Sequence, residues 1–199
     1  MKVIGLTGPS GAGKGTVGNK FADRGIPVID CDAVYHALLL PPSPCAEEIA
    51  ATFGKEYLLP DGTLDRRALS AYVFAHPEKL ELLNRISHKY VLERVDELLV
   101  PFSLAGKPAA VIDAPTLFES GADKMCDAVV AVTASREKRL ERVMSRDKIS
   151  REAALSRIEA QPEDAFYTSR ADFVIVNDGT EQALGAEVDS LLRALGVGT

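Results

Sequence analysis

The chain has 199 residues, 46% of them hydrophobic, and a formal net charge of -6. That length suits one domain with a sizeable core, and the acidic balance argues against nucleic acid or an anionic membrane surface as a partner. The three cysteines, Cys31, Cys45 and Cys126, form no CxxC pair, no apolar run is long enough to span a membrane, and no signal-peptide pattern opens the chain; neither a disulfide framework, a zinc site nor a transmembrane helix is expected, and a cytoplasmic protein is.

The first predicted strand is the apolar run Val3 to Thr7. It leads into Gly8-Pro9-Ser10-Gly11-Ala12-Gly13-Lys14-Gly15-Thr16, and a helical pattern with Val17 and Phe21 follows, closed by Gly25. Strand, glycine-rich loop and helix form the setting of a phosphate-binding loop. Its glycines let backbone N–H groups turn inward on an anion, and the helix adds the positive end of its dipole. Backbone amides from Ser10, Gly11, Ala12 and Gly13 to Gly15 and Thr16 are therefore expected around the phosphates, with Lys14 bridging β and γ. The pattern GxxxxGK[ST] wants a hydroxyl directly after the lysine. Gly15 stands there, with Thr16 one later. That argues against a direct hydroxyl–Mg²⁺ bond, and no side-chain metal ligand is expected.

Ile26 to Asp30 is a second short strand ending in Asp30-Cys31-Asp32. A helix is predicted over 33–40, broken by Pro41, Pro42 and Pro44, and another over 46–53. Asp61-Gly62 signals a turn. A helix beginning at Asp65 is interrupted by Pro77, and the longest helical pattern runs from Glu78 to Val100, with Pro101 expected to end it. Ala109 to Asp113 and Ala128 to Val132 are near-continuous apolar strands, as expected for parallel strands covered on both faces. A helix from Ser135 to about Asp147 follows, and another starts at the capping residue Ser150. Phe173 to Val176 is the fifth strand. Asn177-Asp178-Gly179 turns the chain into a last helix with Leu184, Val188, Leu191 and Leu192 on one side.

Strands alternating with helices predict an α/β fold with a doubly wound five-stranded parallel sheet. Ligands bind such sheets at the carboxyl ends of the strands. The loop at Gly8, Asp32, Asp113 and Asn177 all follow strand ends. Asp32 suits deprotonation of an attacking hydroxyl, against the bland reading that it caps the next helix; for Asp30 the structural reading is preferred. Arg139, Arg142 and Arg146, at i, i+3 and i+7, share one helix stripe and suit phosphate oxygens, whereas Arg151 and Arg157 read as solvated. Asp113 suits either orientation of a metal or a structural hydrogen bond. His88 shares a helix side with Asn84 and Leu92, and a cleft role and a structural role stand level for it.

Taken together, the motifs resemble the dephospho-coenzyme A kinase family over nearly the whole chain. They are Gly5-Leu6-Thr7-Gly8 with the loop, Pro27 to Asp32, Asp61-Gly62-Thr63-Leu64-Asp65-Arg66-Arg67, Val73 to Glu78, Leu83 to His88, Pro115 to Gly121, Arg142 to Asp147, Gln161 and Ala171-Asp172 through Gly179. The DGTLDRR and LFESG segments are the specific ones. The resemblance implies ATP-dependent phosphorylation of the 3′-hydroxyl of dephospho-coenzyme A, with Mg²⁺ carried by ATP and held largely through waters. It puts the base at Asp32 and the lid arginine at Arg142, with Arg146 nearby. It puts acceptor contacts at Arg66 and His88, to which Thr7 and Asp113 are added, and a nucleotide contact at Asn177. It also implies one P-loop kinase domain of the nucleoside-monophosphate-kinase-like kind, with a core (about 1–32, 103–135 and 171–199), a helical acceptor region (about 33–102) and a small helical lid (about 136–170). A monomer or weak homo-oligomer is expected. Gly15, Lys89, Thr116 and the pair Tyr35-His36 depart from the family's usual residues. A nucleoside monophosphate kinase, favoured by Gly15-Thr16, and a nucleotide-driven switch without a small acceptor are the rival readings.

Overall fold

A computed structural model describes residues 1–198. The chain forms two compact units: Met1–Ile29 together with the chain from Pro101 onward, and Asp30–Val100.

The first unit is built on a parallel sheet. Its strands are β1 (Lys2–Thr7), β2 (Val28–Asp30), β3 (Ala109–Asp113), β4 (Ala128–Thr133) and β5 (Phe173–Val176), in the order β2-β3-β1-β4-β5. Side chains alternate along a strand, so Ile4 and Leu6 of β1 face one way and Gly5 the other. On the first face, Ile4 and Leu6 join Val17 and Phe21 of α1 (Lys14–Ala22) and Leu184, Val188, Leu191 and Leu192 of α10 (Glu181–Ala194) in one buried cluster. Removing each such side chain from water stabilises the fold by about 1.5–3 kcal/mol. Gly5 lies against Leu117 and Cys126 on the other face. The pairings Leu6 with Asp113, Thr7 with Ala131 and Thr133 with Val176 bring the carboxyl ends of β1, β3, β4 and β5 to one edge.

The remaining helices of this unit are α6 (Leu117–Ser120), α7 (Arg136–Asp147), α8 (Arg151–Glu159) and α9 (Asp164–Thr168). Leu140 and Val143 of α7 pack with Ala154 and Ile158 of α8 in a small core of their own. Neither α6 nor α9 shows in the sequence, because four or five residues hold too little apolar periodicity to register.

The second unit is helical: α2 (Cys31–Leu38), α3 (Pro44–Phe53), α4 (Arg66–Phe74) and most of α5 (Pro77–Leu104). Its core joins Leu39, Cys45, Ile49, Leu64, Leu69, Val73 and Ile86. Each of α2, α3 and α4 begins at a capping oxygen: Asp30 accepts from Ala33 N–H, Ser43 from Ala46 and Asp65 from Ala68, each at 3.0 Å. The caps move the starts of α2 and α3 two residues earlier than the sequence suggests. A second correction concerns Pro101, expected to end the long helix. Instead α5 runs through it to Leu104. Proline forbids only its own N–H bond and crowds the preceding turn; its carbonyl still accepts from Ala105 N–H at 3.0 Å.

Candidate active site

The loop leaves β1 at its carboxyl end and wraps the start of α1. Its shape requires glycine at Gly8, Gly11 and Gly13. Gly8 has φ 140, and a Cβ there would run into the Val132 carbonyl of β4. Gly13 has φ 93 and sits against the Asn177 amide, where a Cβ would collide. A turn closes inside the loop, Ala12 N–H donating to Pro9 O at 3.2 Å. Gly13 provides no side-chain cap for α1, and an open helix start favours an anion. Lys14 is half-buried, and its Nζ donates to Gly8 O at 3.3 Å.

The outer side of the loop is held by side chains from α7 and from the end of β5. Arg142 Nη1 donates to the carbonyls of Gly11 and Ala12, both at 3.2 Å, and its Nη2 donates to Asn177 O at 2.8 Å. Asn177, itself buried, donates from Nδ2 to Ala12 O at 2.9 Å. Arg139 Nε donates to Ser10 O at 3.1 Å. Three successive carbonyls, of Ser10, Gly11 and Ala12, therefore point towards α7 and Asn177. In a trans peptide the N–H of the next residue points the opposite way, so the Gly11 and Gly13 N–H groups turn to the loop's other side. That is the polarity an anion requires.

The arginine stripe thus divides its work. Arg139 and Arg142 face the loop's carbonyls, while Arg146 stays exposed. Arg146 pairs with Asp147 through Nε at 2.7 Å and Nη2 at 2.9 Å and reaches Ser10 Oγ at 3.3 Å. Its hydrogen bond to Asp147 raises its pKa. Arg151 and Arg157 pair with Glu137 and Asp147 on the exposed surface. At the base of the stripe, Asp178 accepts from the backbone N–H of Ser135 at 2.9 Å, which holds its carboxyl below the usual range.

At the same sheet edge, Asp113 is half-buried at the end of β3, and a Cβ on Gly18 of α1 would lie 3.9 Å from its Oδ2. Thr7 is fully buried, and its hydroxyl donates to Pro115 O at 3.3 Å, so it acts within the protein. A Cβ at Gly15 would meet nothing within 4 Å; space does not dictate the missing hydroxyl. Among the described residues no group of three or more His, Cys, Asp or Glu side chains could hold a metal ion.

In the helical unit, Asp30 takes the cap of α2 and leaves Asp32 exposed in the first turn with no capping duty. Arg66 is exposed, its Nη2 2.9 Å from His36 Nε2. His88 is half-buried on α5, and burial lowers its pKa. Gln161, which enters the sequence reading only as a motif residue, accepts the Ser10 N–H at 2.8 Å across 151 positions. No local pattern signals a contact of that range.

Comparison with known proteins follows the same lines. A family model described as dephospho-CoA kinase matches residues 2–183. A relative from Anaeromyxobacter dehalogenans, named dephospho-CoA kinase, is 43% identical over 195 residues, which cover 98% of this chain and 92% of the relative. A crystal structure from Thermus thermophilus superposes with a TM-score of 0.82 at 34% identity, covering 98% of this chain and 97% of the other. One described as dephospho-CoA kinase from Campylobacter jejuni gives 0.71 at 26% identity, covering 98% of each.

Proposed function

The chain belongs to the dephospho-CoA kinase family, and on that premise we propose a division of labour among its residues. The reaction is the ATP-dependent phosphorylation of the 3′-hydroxyl of dephospho-coenzyme A, giving coenzyme A and ADP at the end of coenzyme A biosynthesis. The reading of the donor site rests on one observation: the carbonyls of Ser10, Gly11 and Ala12 are all drawn outward by Arg139, Arg142 and Asn177. This supports binding of the triphosphate by amides from Gly11 to Thr16 and by Lys14; the Ser10 N–H, expected among them, is instead taken by Gln161 Oε1. Arg142 brings its charge to the loop's rim, Arg146 exchanges Asp147 for phosphate oxygens, and Asn177 orders the nucleotide side. Asp32, freed from capping, orients the acceptor hydroxyl and takes its proton. Arg66, His88, Thr7 and Asp113 support the acceptor, Thr7 through the backbone at Pro115. Within the segment of about 136–170 lies the lid whose closure excludes water, while Arg139 and Gln161 stay on the loop. No helix among the described residues is long and apolar enough to cross a membrane, and we place the enzyme in the cytoplasm.

Kinases of this fold work with a divalent cation, which we read as Mg²⁺. Such an ion can keep most of its waters and take phosphate oxygens, so it needs few side-chain ligands. Asp113 and Thr16 would hold those waters. When bound, the ion neutralises charge on the β- and γ-phosphates.

Two experiments follow from these assignments. ADP release is expected with dephospho-coenzyme A and not with AMP, CMP or buffer alone; release as fast without an acceptor would sink the kinase reading. The second concerns Gly15. Replacement by alanine is expected to stabilise α1 by about 0.5–1 kcal/mol, because the new Cβ enters open space and helical glycine is unfavourable. Gly15→Ser adds a hydroxyl beside the lysine and should lower the Mg²⁺ concentration for half-maximal velocity several-fold, which Gly15→Ala does not. Equal Mg²⁺ dependence in the two variants would show that the metal does not sense this position.

A further inference from the structure

We propose that Gln161 and Arg139 are positioning residues for the donor nucleotide, fixing both peptide groups of Ser10 and so setting the loop before ATP arrives. The inference rests on the loop being the triphosphate site. Ser10 N–H donates to Gln161 Oε1 at 2.8 Å, Ser10 O accepts from Arg139 Nε at 3.1 Å, and Ser10 Oγ accepts from Arg146 Nη2 at 3.3 Å. Both peptide planes around Ser10 are therefore tied to one side. On the opposite side of those planes lie Pro9 O, which closes the turn with Ala12 N–H at 3.2 Å, and Gly11 N–H.

The loop cannot impose this arrangement on itself. Gly11 has φ 79 in the left-handed region, and glycine accepts many other conformations at little cost. Order has to come from outside, and the supporting arms are rigid. Arg139 is 6% exposed, and its Nη1 is ion-paired with Asp164 at 2.8 Å. Gln161 and Asp164 flank Pro162-Glu163, the short entry to α9, and proline restricts that link. One turn of chain therefore supplies both restraints: Gln161 directly on the Ser10 N–H, and Asp164 through Arg139 on the Ser10 carbonyl. Asp164 offsets the charge of this buried guanidinium, which leaves its Nε donor for the Ser10 carbonyl.

The test is ATP binding by calorimetry, with KM for each substrate and thermal melting, on Gln161→Leu, Gln161→Glu, Arg139→Lys and the control Lys14→Met. Gln161→Leu leaves the Ser10 N–H unpaired and should weaken ATP binding about tenfold. KM for ATP should rise in step, while KM for dephospho-coenzyme A and the saturated rate stay within twofold. Gln161→Glu keeps an acceptor oxygen and should recover ATP affinity to within about threefold of the wild type. Arg139→Lys keeps the charge but loses the Nε donor; it should repeat the selective loss and carries the test if Gln161→Leu melts too early to assay. ATP binding by Gln161→Leu within twofold of the wild type, or a parallel rise in both KM values, overturns the proposal. If Lys14→Met binds ATP as the wild type does, the underlying assignment of the loop fails instead.

Discussion

Lys14→Met is expected to lower kcat/KM for ATP by about 10³-fold, equal to about 4 kcal/mol of transition-state stabilisation. Lys14 is the first residue of α1, and its Nζ donates to Gly8 O at 3.3 Å. Phosphoryl transfer moves charge onto oxygens that the protein can only position and neutralise. A charge held in place before the reaction contributes most, since nothing has to reorganise. Methionine keeps the length and the apolar stem, so packing around α1 should survive, and the carbonyls of Gly11 and Ala12 remain tied to Arg142 and Asn177. Thermal melting beside steady-state kinetics separates the two effects: a loss of rate with a preserved melting point is the expected result. A loss under tenfold, with ATP binding unchanged, would count against the loop as the triphosphate site.

The sheet and the loop are legible in the sequence because their signals are local. Gly8 and Gly13 occupy positions that only glycine fits, and apolar runs such as Val111-Ile112 and Val129-Val130 are buried on both faces. The arginine stripe is legible as a stripe, since i, i+3 and i+7 share a face. Its targets are not. Arg139 and Arg142 bond to carbonyls more than 120 residues away in the chain, and a guanidinium that suits a phosphate suits a ring of carbonyls equally well. The aspartate pair shows the opposite limit. Asp30 and Asp32 both sit where a cap belongs, and only the bond from Ala33 N–H to Asp30 Oδ1 separates them. Pro101 misleads for a physical reason too: proline deprives a helix of one hydrogen bond, and one turn beyond it survives.

That separation makes Asp32→Asn the informative substitution on the acceptor side. It is expected to lower kcat by about 10³-fold, within the range for a lost general base, while ATP binding is retained. Asparagine matches aspartate in shape and removes the negative charge and the proton acceptor. Asp32 is exposed in the first turn of α2, so the structural effect is limited to its favourable interaction with the helix dipole, about 0.3–1 kcal/mol. Asp30→Ala is the matched control, because it removes the cap from Ala33 N–H and should cost about 0.5–2 kcal/mol of stability with a much smaller effect on turnover. The two variants therefore move different observables: Asp32→Asn the rate at an almost unchanged melting temperature, Asp30→Ala the melting temperature at a largely preserved rate. If Asp32→Asn turns over as fast as the wild type, proton removal belongs to another group or to solvent, and Asp32 contributes only its charge to the start of α2.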